Sequence, residues 1–183
     1  MIMSLDALCP PSIPSLEGER VLLRPYRIDD LDAAFEMWSD DKVVEFIGGR
    51  ARSRIDVWMQ IQRMIGSWGL LGYGYWAIVR KSDQKYLGEV GFLEALREIN
   101  PSLIGRPEAG WAVVQDVWGQ GYASEAASVA LDWAAKNLKG REAVCIIDPA
   151  NFASIRIAER NGFNLIAEGN YREEPILIFS RRL

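Results

Sequence analysis

The chain is expected to fold as one α/β domain, and three observations carry that expectation. First, Trp111 to Leu138 reads as a strand, a glycine turn and a helix without a gap. Second, short β-rich runs alternate with stretches of helical spacing on both sides of that unit. Third, 183 residues at 49% hydrophobic and 25% charged suffice for one buried core and give no composition shift that would divide it. The expected boundaries are a lead-in over 1–15 and a single domain over 16–183.

The elements follow in order. Residues 1–15 carry Pro10, Pro11 and Pro14 with little periodicity, which suits an extended or mobile lead-in. Arg20 to Leu23 alternates and reads as a strand. Asp29 or Asp30 can cap a helix whose apolar positions are Leu31, Ala34, Phe35 and Trp38. Ser53 can cap a second helix with Ile55, Trp58, Met59, Ile61, Ile65 and Trp68 as its apolar set. Tyr75 to Val79 and Tyr86 to Leu93, joined by the polar Lys81 to Gln84, read as a hairpin. Gly88 and Gly91 mark a bulge or a close backbone approach. Leu96 to Pro107 is a loop broken by Asn100-Pro101 and Gly105, either a lid or an insertion.

Trp111 to Val114 suits a buried strand, and Gly119-Gln120-Gly121 a tight turn. From Ala123 the apolar residues fall on one helical face at Ala127, Ala130, Leu131, Ala134 and Leu138, with Asp132 and Lys136 spaced to pair. Ala143 to Ile147 is a buried strand ended by Asp148-Pro149. Asn151 caps a helix with apolar Ile155, Ile157 and Ala158, which Asn161-Gly162 stops. Phe163 to Glu168 and Ile176 to Phe179 complete the strands, with Tyr171 in the segment between them.

Bulk properties exclude several classes. The formal charge is −4 (21 − 25) with no long basic cluster, which argues against nucleic acid as a partner. It is compatible with a cationic or amine substrate. No apolar run is long enough to span a membrane, and there is no signal-peptide pattern, so the cytoplasm is the expected location. Cys9 and Cys145 form neither a disulfide framework nor a metal pattern, and Cys145 reads as a core thiol. The chain has no histidine. That removes Ser-His-Asp and Cys-His catalysis and the common zinc sites, and no metal is expected. Acid–base work falls to carboxylates, Tyr, Ser, backbone or water.

The strand–glycine–helix unit has the form of an anion site. The first N–H groups of a helix lack internal partners, and glycine lets a phosphate approach the backbone. A plain strand-to-helix connection that needs glycine for its φ angles explains the same residues. The string W-G-Q-G-Y-A-S-E-A resembles the acyl-CoA pyrophosphate loop of the GNAT superfamily of N-acyltransferases. The family pattern Gln/Arg-x-x-Gly-x-Gly/Ala falls on Trp118, Gly121 and Ala123. Trp118 in the first position resembles the branch of ribosomal-protein N-terminal acetyltransferases. The stretch N-F-A-S-I-R-I-A-E-R-N-G-F, from Asn151, resembles the family's second motif, Asn-x-x-Ser/Ala-x-x-x-x-Glu-Lys-x-Gly-Phe. Glu108 to Val113 resembles its Glu-Ile-Gly-Tyr-x-Val strand. Two motifs at consistent separation are far more specific than either alone.

The resemblance spans about residues 16–183 and implies the rest. The fold would be a mixed, mostly antiparallel sheet with helices on both faces. The reaction would be acetyl transfer from acetyl-CoA to a primary amine, by direct attack in a ternary complex. Val113, Val114, Trp118, Gly119, Gln120, Gly121, Tyr122, Ala123, Ser124 and Asn151 would hold the donor, Asn151 through the pantetheine arm. Backbone N–H groups of Val113 and Val114 would polarise the thioester carbonyl. The usual tyrosine acid, seven residues after the Asn, is replaced by Ala158, which leaves Ser154 as the proton donor. Glu108 is either a base acting through a water or a surface carboxylate at a strand start. Trp38, Phe46, Trp58 and Trp68 are candidates for the acceptor wall, against the plain reading that they are core.

The acceptor stays open among ribosomal-protein N-termini, free amino acids, polyamines and aminoglycosides, and the assembly between monomer and homodimer. Two other readings compete. The missing tyrosine fits a non-catalytic acyl-CoA-binding module. A nucleotide-phosphate protein of another fold ranks last, since the turn is not G-x-x-x-x-G-K-[ST] and no acidic ribose partner is placed.

Overall fold

The computed structural model describes residues 12–183. Residues 1–11, with Cys9 and most of the expected lead-in, lie outside the described residues. Residues 12–15 run along the core, where Ile13 packs and the Pro14 carbonyl accepts the Trp76 indole N–H at 2.8 Å.

Eight strands form one sheet: β1 (Leu16–Glu17), β2 (Val21–Arg24), β3 (Tyr75–Arg80), β4 (Tyr86–Leu93), β5 (Glu108–Val113), β6 (Glu142–Ile147), β7 (Asn164–Tyr171) and β8 (Glu174–Arg182). Their order is β1-β2-β3-β4-β5-β6-β8-β7. Every neighbouring pair is antiparallel except β5 and β6, which run parallel. The expected mixed, mostly antiparallel sheet is therefore present. The parallel step follows from its connection, because a helix must cross back over the sheet between β5 and β6.

That helix is α4 (Tyr122–Asn137). Its buried Ala126, Ala130, Leu131 and Ala134 pack on Val21, Trp76, Ile78, Val90 and Val113. Alanines let the helix lie close to the strands, and large strand residues fill the layer. Trp68, Trp76 and Trp133 close one end of it edge to face, with centroids 4.7–5.2 Å apart. α5 (Phe152–Arg160) packs beside α4 through Ala158.

The opposite face carries α1 (Leu31–Trp38), α2 (Asp41–Val44) and α3 (Arg54–Leu71). They cover Ala77, Tyr86 and Ala112, the residues that alternate with the α4-facing set. Over β6 and β8 this face is covered instead by the 94–107 loop, whose buried Leu103 meets Val144, Ile176 and Ile178. The loop is thus a packed insertion.

Several local expectations are corrected. Asp30 takes the N-cap position of α1 but its carboxylate makes no cap bond to that helix, because it pairs with Arg24 at 2.6–2.7 Å and accepts from the Arg27 N–H. The buried face of α3 is Val57, Gln60, Ile61, Met64, Ser67 and Trp68, while Ile55 and Met59 are more than half exposed and Ile65 is 40% exposed. Ser53 does cap α3, in a reciprocal box with Asp56. Asp132 and Lys136 make no ion pair among the described residues. Tyr171 ends β7, and the hairpin turn is Arg172-Glu173, both at positive φ.

Candidate active site

A tight loop leads into α4. After β5, a 3-10 turn over Gln115–Val117 hands the chain to an extended Trp118, then to Gly119 at φ +72° and Gly121 at φ +85°. Both angles favour glycine. Gly121 is the N-cap of α4 and supplies no side-chain cap. The N–H groups of Gly119, Gly121, Tyr122, Ala123 and Ser124 consequently find no acceptor among the described residues. They converge at the positive end of the α4 dipole.

The remaining loop residues brace this arrangement. Trp118 Nε1 donates to the Val113 carbonyl at 2.9 Å, tying the loop to the strand it leaves. Gln120 Nε2 donates to the Asp116 carbonyl at 2.8 Å. The Trp118 and Gln120 N–H groups are already engaged, with the carbonyls of Gln115 and Val117. Arg20 lies against the loop from β2. It donates to the Gln120 carbonyl, pairs with Glu125 at 2.9 Å and stacks on Tyr122 at 4.5 Å. A cation beside five free N–H groups suits a pyrophosphate.

The second part of the site is a gap in the sheet. β5 and β6 pair only at Glu108 and Val144, then part. Val114 N–H donates across to Leu87 of β4 at 2.8 Å, so along the alternating ladder the Val113 and Trp111 N–H groups face away from β4, into the gap. The Val114 amide, expected to serve with Val113 as an oxyanion donor, is occupied by Leu87, and the N–H groups that point into the gap are those of Val113 and Trp111. On the α4 side, the Trp111 indole N–H spans the gap to Ser154 Oγ of α5 at 3.3 Å. Asn151 caps α5, with Oδ1 accepting from Ser154 N at 3.0 Å. Its Nδ2 makes no hydrogen bond to the described residues. Ala158 is fully buried in the α4-side core.

On the α1–α3 side, Glu108 sits at the mouth of the gap. Arg97 holds both its carboxylate oxygens, at 2.7–3.1 Å, and itself stacks on Tyr171 at 4.6 Å. Glu108 is therefore neither a free surface carboxylate nor an unpartnered one. Beside it, Tyr75 crosses Gly91 to reach Gly110, where a Cβ would lie 2.1 Å from the Tyr75 hydroxyl. That hydroxyl has no hydrogen bond among the described residues, and no buried side-chain polar atom there lacks a partner, so it opens to solvent. Burial, then Glu89 and Glu108, push its pKa well up, which keeps it a proton-bearing donor.

Glu89 lies deeper on this face, 3% exposed. It accepts from Tyr26 Oη at 2.5 Å, Trp38 Nε1 at 3.2 Å and Gln60 Nε2 at 3.0 Å. Burial raises its pKa against those donors. Burial likewise pushes the Cys145 thiol up, so it has no nucleophile character.

The structure thus brings the loop residues, Val113, Asn151 and Ser154 to one side of the gap and Glu108 to the other. Of the proposed acceptor wall, Trp38 lies next to Glu89, Trp68 is core, and Phe46 and Trp58 are half-buried. Sequence reasoning missed Arg20, Tyr75, Glu89 and Arg97. Only Glu89 carried a local signal, as a carboxylate inside an otherwise apolar strand.

The acetyltransferase (GNAT) domain family matches residues 20–164. An uncharacterised N-acetyltransferase of Bacillus licheniformis, p20, is 26% identical over 160 residues, covering 87% of this chain and 86% of that one. The crystal structure of the acetyltransferase from Agrobacterium tumefaciens str. C58 superposes with a TM-score of 0.81 at 26% identity, over 94% of this chain and 96% of that one. The ribosomal-protein-S5-alanine acetyltransferase of Vibrio fischeri shares the fold, with a TM-score of 0.74 at 18% identity, over 93% and 97%. No helix among the described residues is long and apolar enough to cross a membrane. With its fold, its glycine-bounded anion loop and its parted β5–β6 edge, the chain belongs to the GNAT family and is an acyl-CoA-dependent acetyltransferase.

Proposed function

We propose that the chain moves an acetyl group from acetyl-CoA to a primary amine by direct attack in a ternary complex. The observation that carries this reading is the gap where β5 and β6 part beyond Glu108 and Val144, together with the free N–H groups at the start of α4. The donor's pyrophosphate would take the Gly119, Gly121, Tyr122, Ala123 and Ser124 amides and Arg20. Its pantetheine arm would take Asn151 Nδ2 and the β5 edge. The acceptor amine would approach from the α1–α3 side.

Nitrogen attack on the thioester carbonyl forms the C–N bond and breaks the C–S bond. Trp111 and Val113 N–H groups would hold the oxygen that becomes negative. The amine proton would leave through a water toward Glu108, whose carboxylate Arg97 also holds. The departing thiolate would be met by the Ser154 hydroxyl, which is too weak an acid for more than a hydrogen bond or a relay.

These roles have distinct expected results. Ser154→Ala should lower kcat by less than about tenfold, below the 10²–10⁴ span of full general acid–base catalysis. Glu108→Gln should lower the rate about tenfold at neutral pH and less at high pH, where the amine is already deprotonated. A pH–rate profile on one accepted amine decides both, and a parental profile for Glu108→Gln would hand the proton to solvent. Ala158 and the clamped Glu108 also fit a second reading, an acyl-CoA-binding module without catalysis. Thiol release from acetyl-CoA in the presence of amines separates the two.

A further inference from the structure

On the α1–α3 face, Arg52 is a half-buried cation that makes no ion pair among the described residues. Arg52 lies in the connection between α2 and α3, fixed by its backbone N–H to the Trp38 carbonyl at 2.9 Å. Its guanidinium stacks on the Trp38 ring, 3.6 Å from the centroid. A stacked guanidinium keeps its N–H edge free for in-plane acceptors. Yet Arg52 makes no ion pair and no side-chain hydrogen bond among the described residues.

The neighbouring carboxylates are all engaged elsewhere. Glu89 takes Tyr26, Trp38 and Gln60. Asp56 takes Ser53, and Glu108 takes Arg97. The charges of Glu89 and Asp56 are felt at Arg52, but neither carboxylate lies within ion-pair distance of its guanidinium.

The place has a direction as well. Trp38, under Arg52, donates to Glu89, and Tyr75 lies on the same face with its hydroxyl over Gly110 at the gap. An acceptor that puts its amine at the gap would extend its other end toward Arg52. A polyamine or aminoglycoside would bring further positive charge to that end and be repelled.

We propose that the acceptor is an amine that also carries a carboxylate, which Arg52, held flat on Trp38, binds. The planar fork of a guanidinium matches a carboxylate through two parallel hydrogen bonds. This inference rests on the acetyl-transfer reading above and names its substrate class. A free amino acid and a protein N-terminus followed by an acidic residue offer the same chemistry.

The test uses the full chain, saturating acetyl-CoA and matched acceptors with and without the carboxylate. The pairs are L-phenylalanine with 2-phenylethylamine, L-lysine with 1,5-diaminopentane, and amidated Ser-Asp-Ala with amidated Ser-Ala-Ala. In at least one pair, the carboxylate-bearing member should show a kcat/KM at least about tenfold higher, the scale of one charge-assisted pair. Which pair responds separates a free amino acid from a peptide. Arg52→Gln should erase that preference by raising KM for the carboxylate-bearing member, leaving kcat and the acetyl-CoA KM unchanged. Arg52→Lys, which keeps the charge without the fork, should recover part of it.

Parity within every pair, or an equal loss on both members in Arg52→Gln, overturns the inference while leaving acetyl transfer standing. A phosphate-bearing amine, O-phosphoethanolamine, preferred over every carboxylate also overturns it. No thiol release with any acceptor overturns the acetyl-transfer reading, and this inference with it.

Discussion

Gly121→Val is expected to weaken acetyl-CoA binding about 30-fold, equivalent to about 2 kcal/mol. Gly121 sits at φ +85° as the N-cap of α4. A β-branched residue held in the left-handed region costs on the order of 1–3 kcal/mol. A Cβ there would also lie 3.2 Å from Arg20 Nη2, which must then give by a few tenths of an ångström. In the free protein the exposed loop can relax out of this conformation. Binding must restore it, so the cost falls on the complex rather than on the fold. Calorimetric titration of acetyl-CoA against the folded variant measures the effect, with the melting temperature expected to move little. A parental affinity would remove this loop from the donor site.

The elements that carry the proposed donor side were legible because they are local. The glycines, the helix start and the Asn151 cap are defined by residues a few positions apart, and each expected element is present. Arg20 was not legible, since its contacts with Glu125 and Gln120 join residues about a hundred positions apart. The clamp on Glu108 was hidden for a related reason: Arg97 returns to it across the packed 94–107 loop.

The face of α3 was misread because its sequence carries two apolar stripes. The stripe with Ile55, Met59 and Ile65 looks the more hydrophobic, yet it is the exposed one. The buried stripe contains Gln60, a residue normally placed outside. Gln60 is inside because a carboxylate from another element waits there for its amide. Glu89 therefore sets the rotation of α3 as well as the polarity of this face, and no single segment carries that information.

Removing Glu89 should accordingly be the most destabilising change at the site. Glu89→Ala would leave the Tyr26 hydroxyl, the Trp38 indole N–H and the Gln60 amide without their shared acceptor. Each buried donor left unpaired costs about 1–3 kcal/mol. Tyr26 can turn to the Tyr86 hydroxyl, 3.4 Å away, which offsets part of the loss. The expected cost is about 3 kcal/mol, with a fall in melting temperature on the order of 10 °C. Glu89→Gln keeps one acceptor oxygen but turns an NH₂ toward donors, and should cost about 1 kcal/mol at acidic pH. The pH dependence gives a sharper check. Burial raises the folded-state pKa of Glu89 above its unfolded value of about 4.3. Below that value the carboxyl is protonated in both states, and its contribution is fully present. As pH rises, the unfolded chain ionises first and the parental protein loses stability, until the folded pKa is passed. The deficit of Glu89→Gln should therefore shrink between pH 4 and pH 7 in urea titrations. A deficit that grows with pH would mean that the three donors outweigh burial and hold Glu89 as a carboxylate. In that case the α1–α3 face would carry a fixed negative charge beneath Trp38.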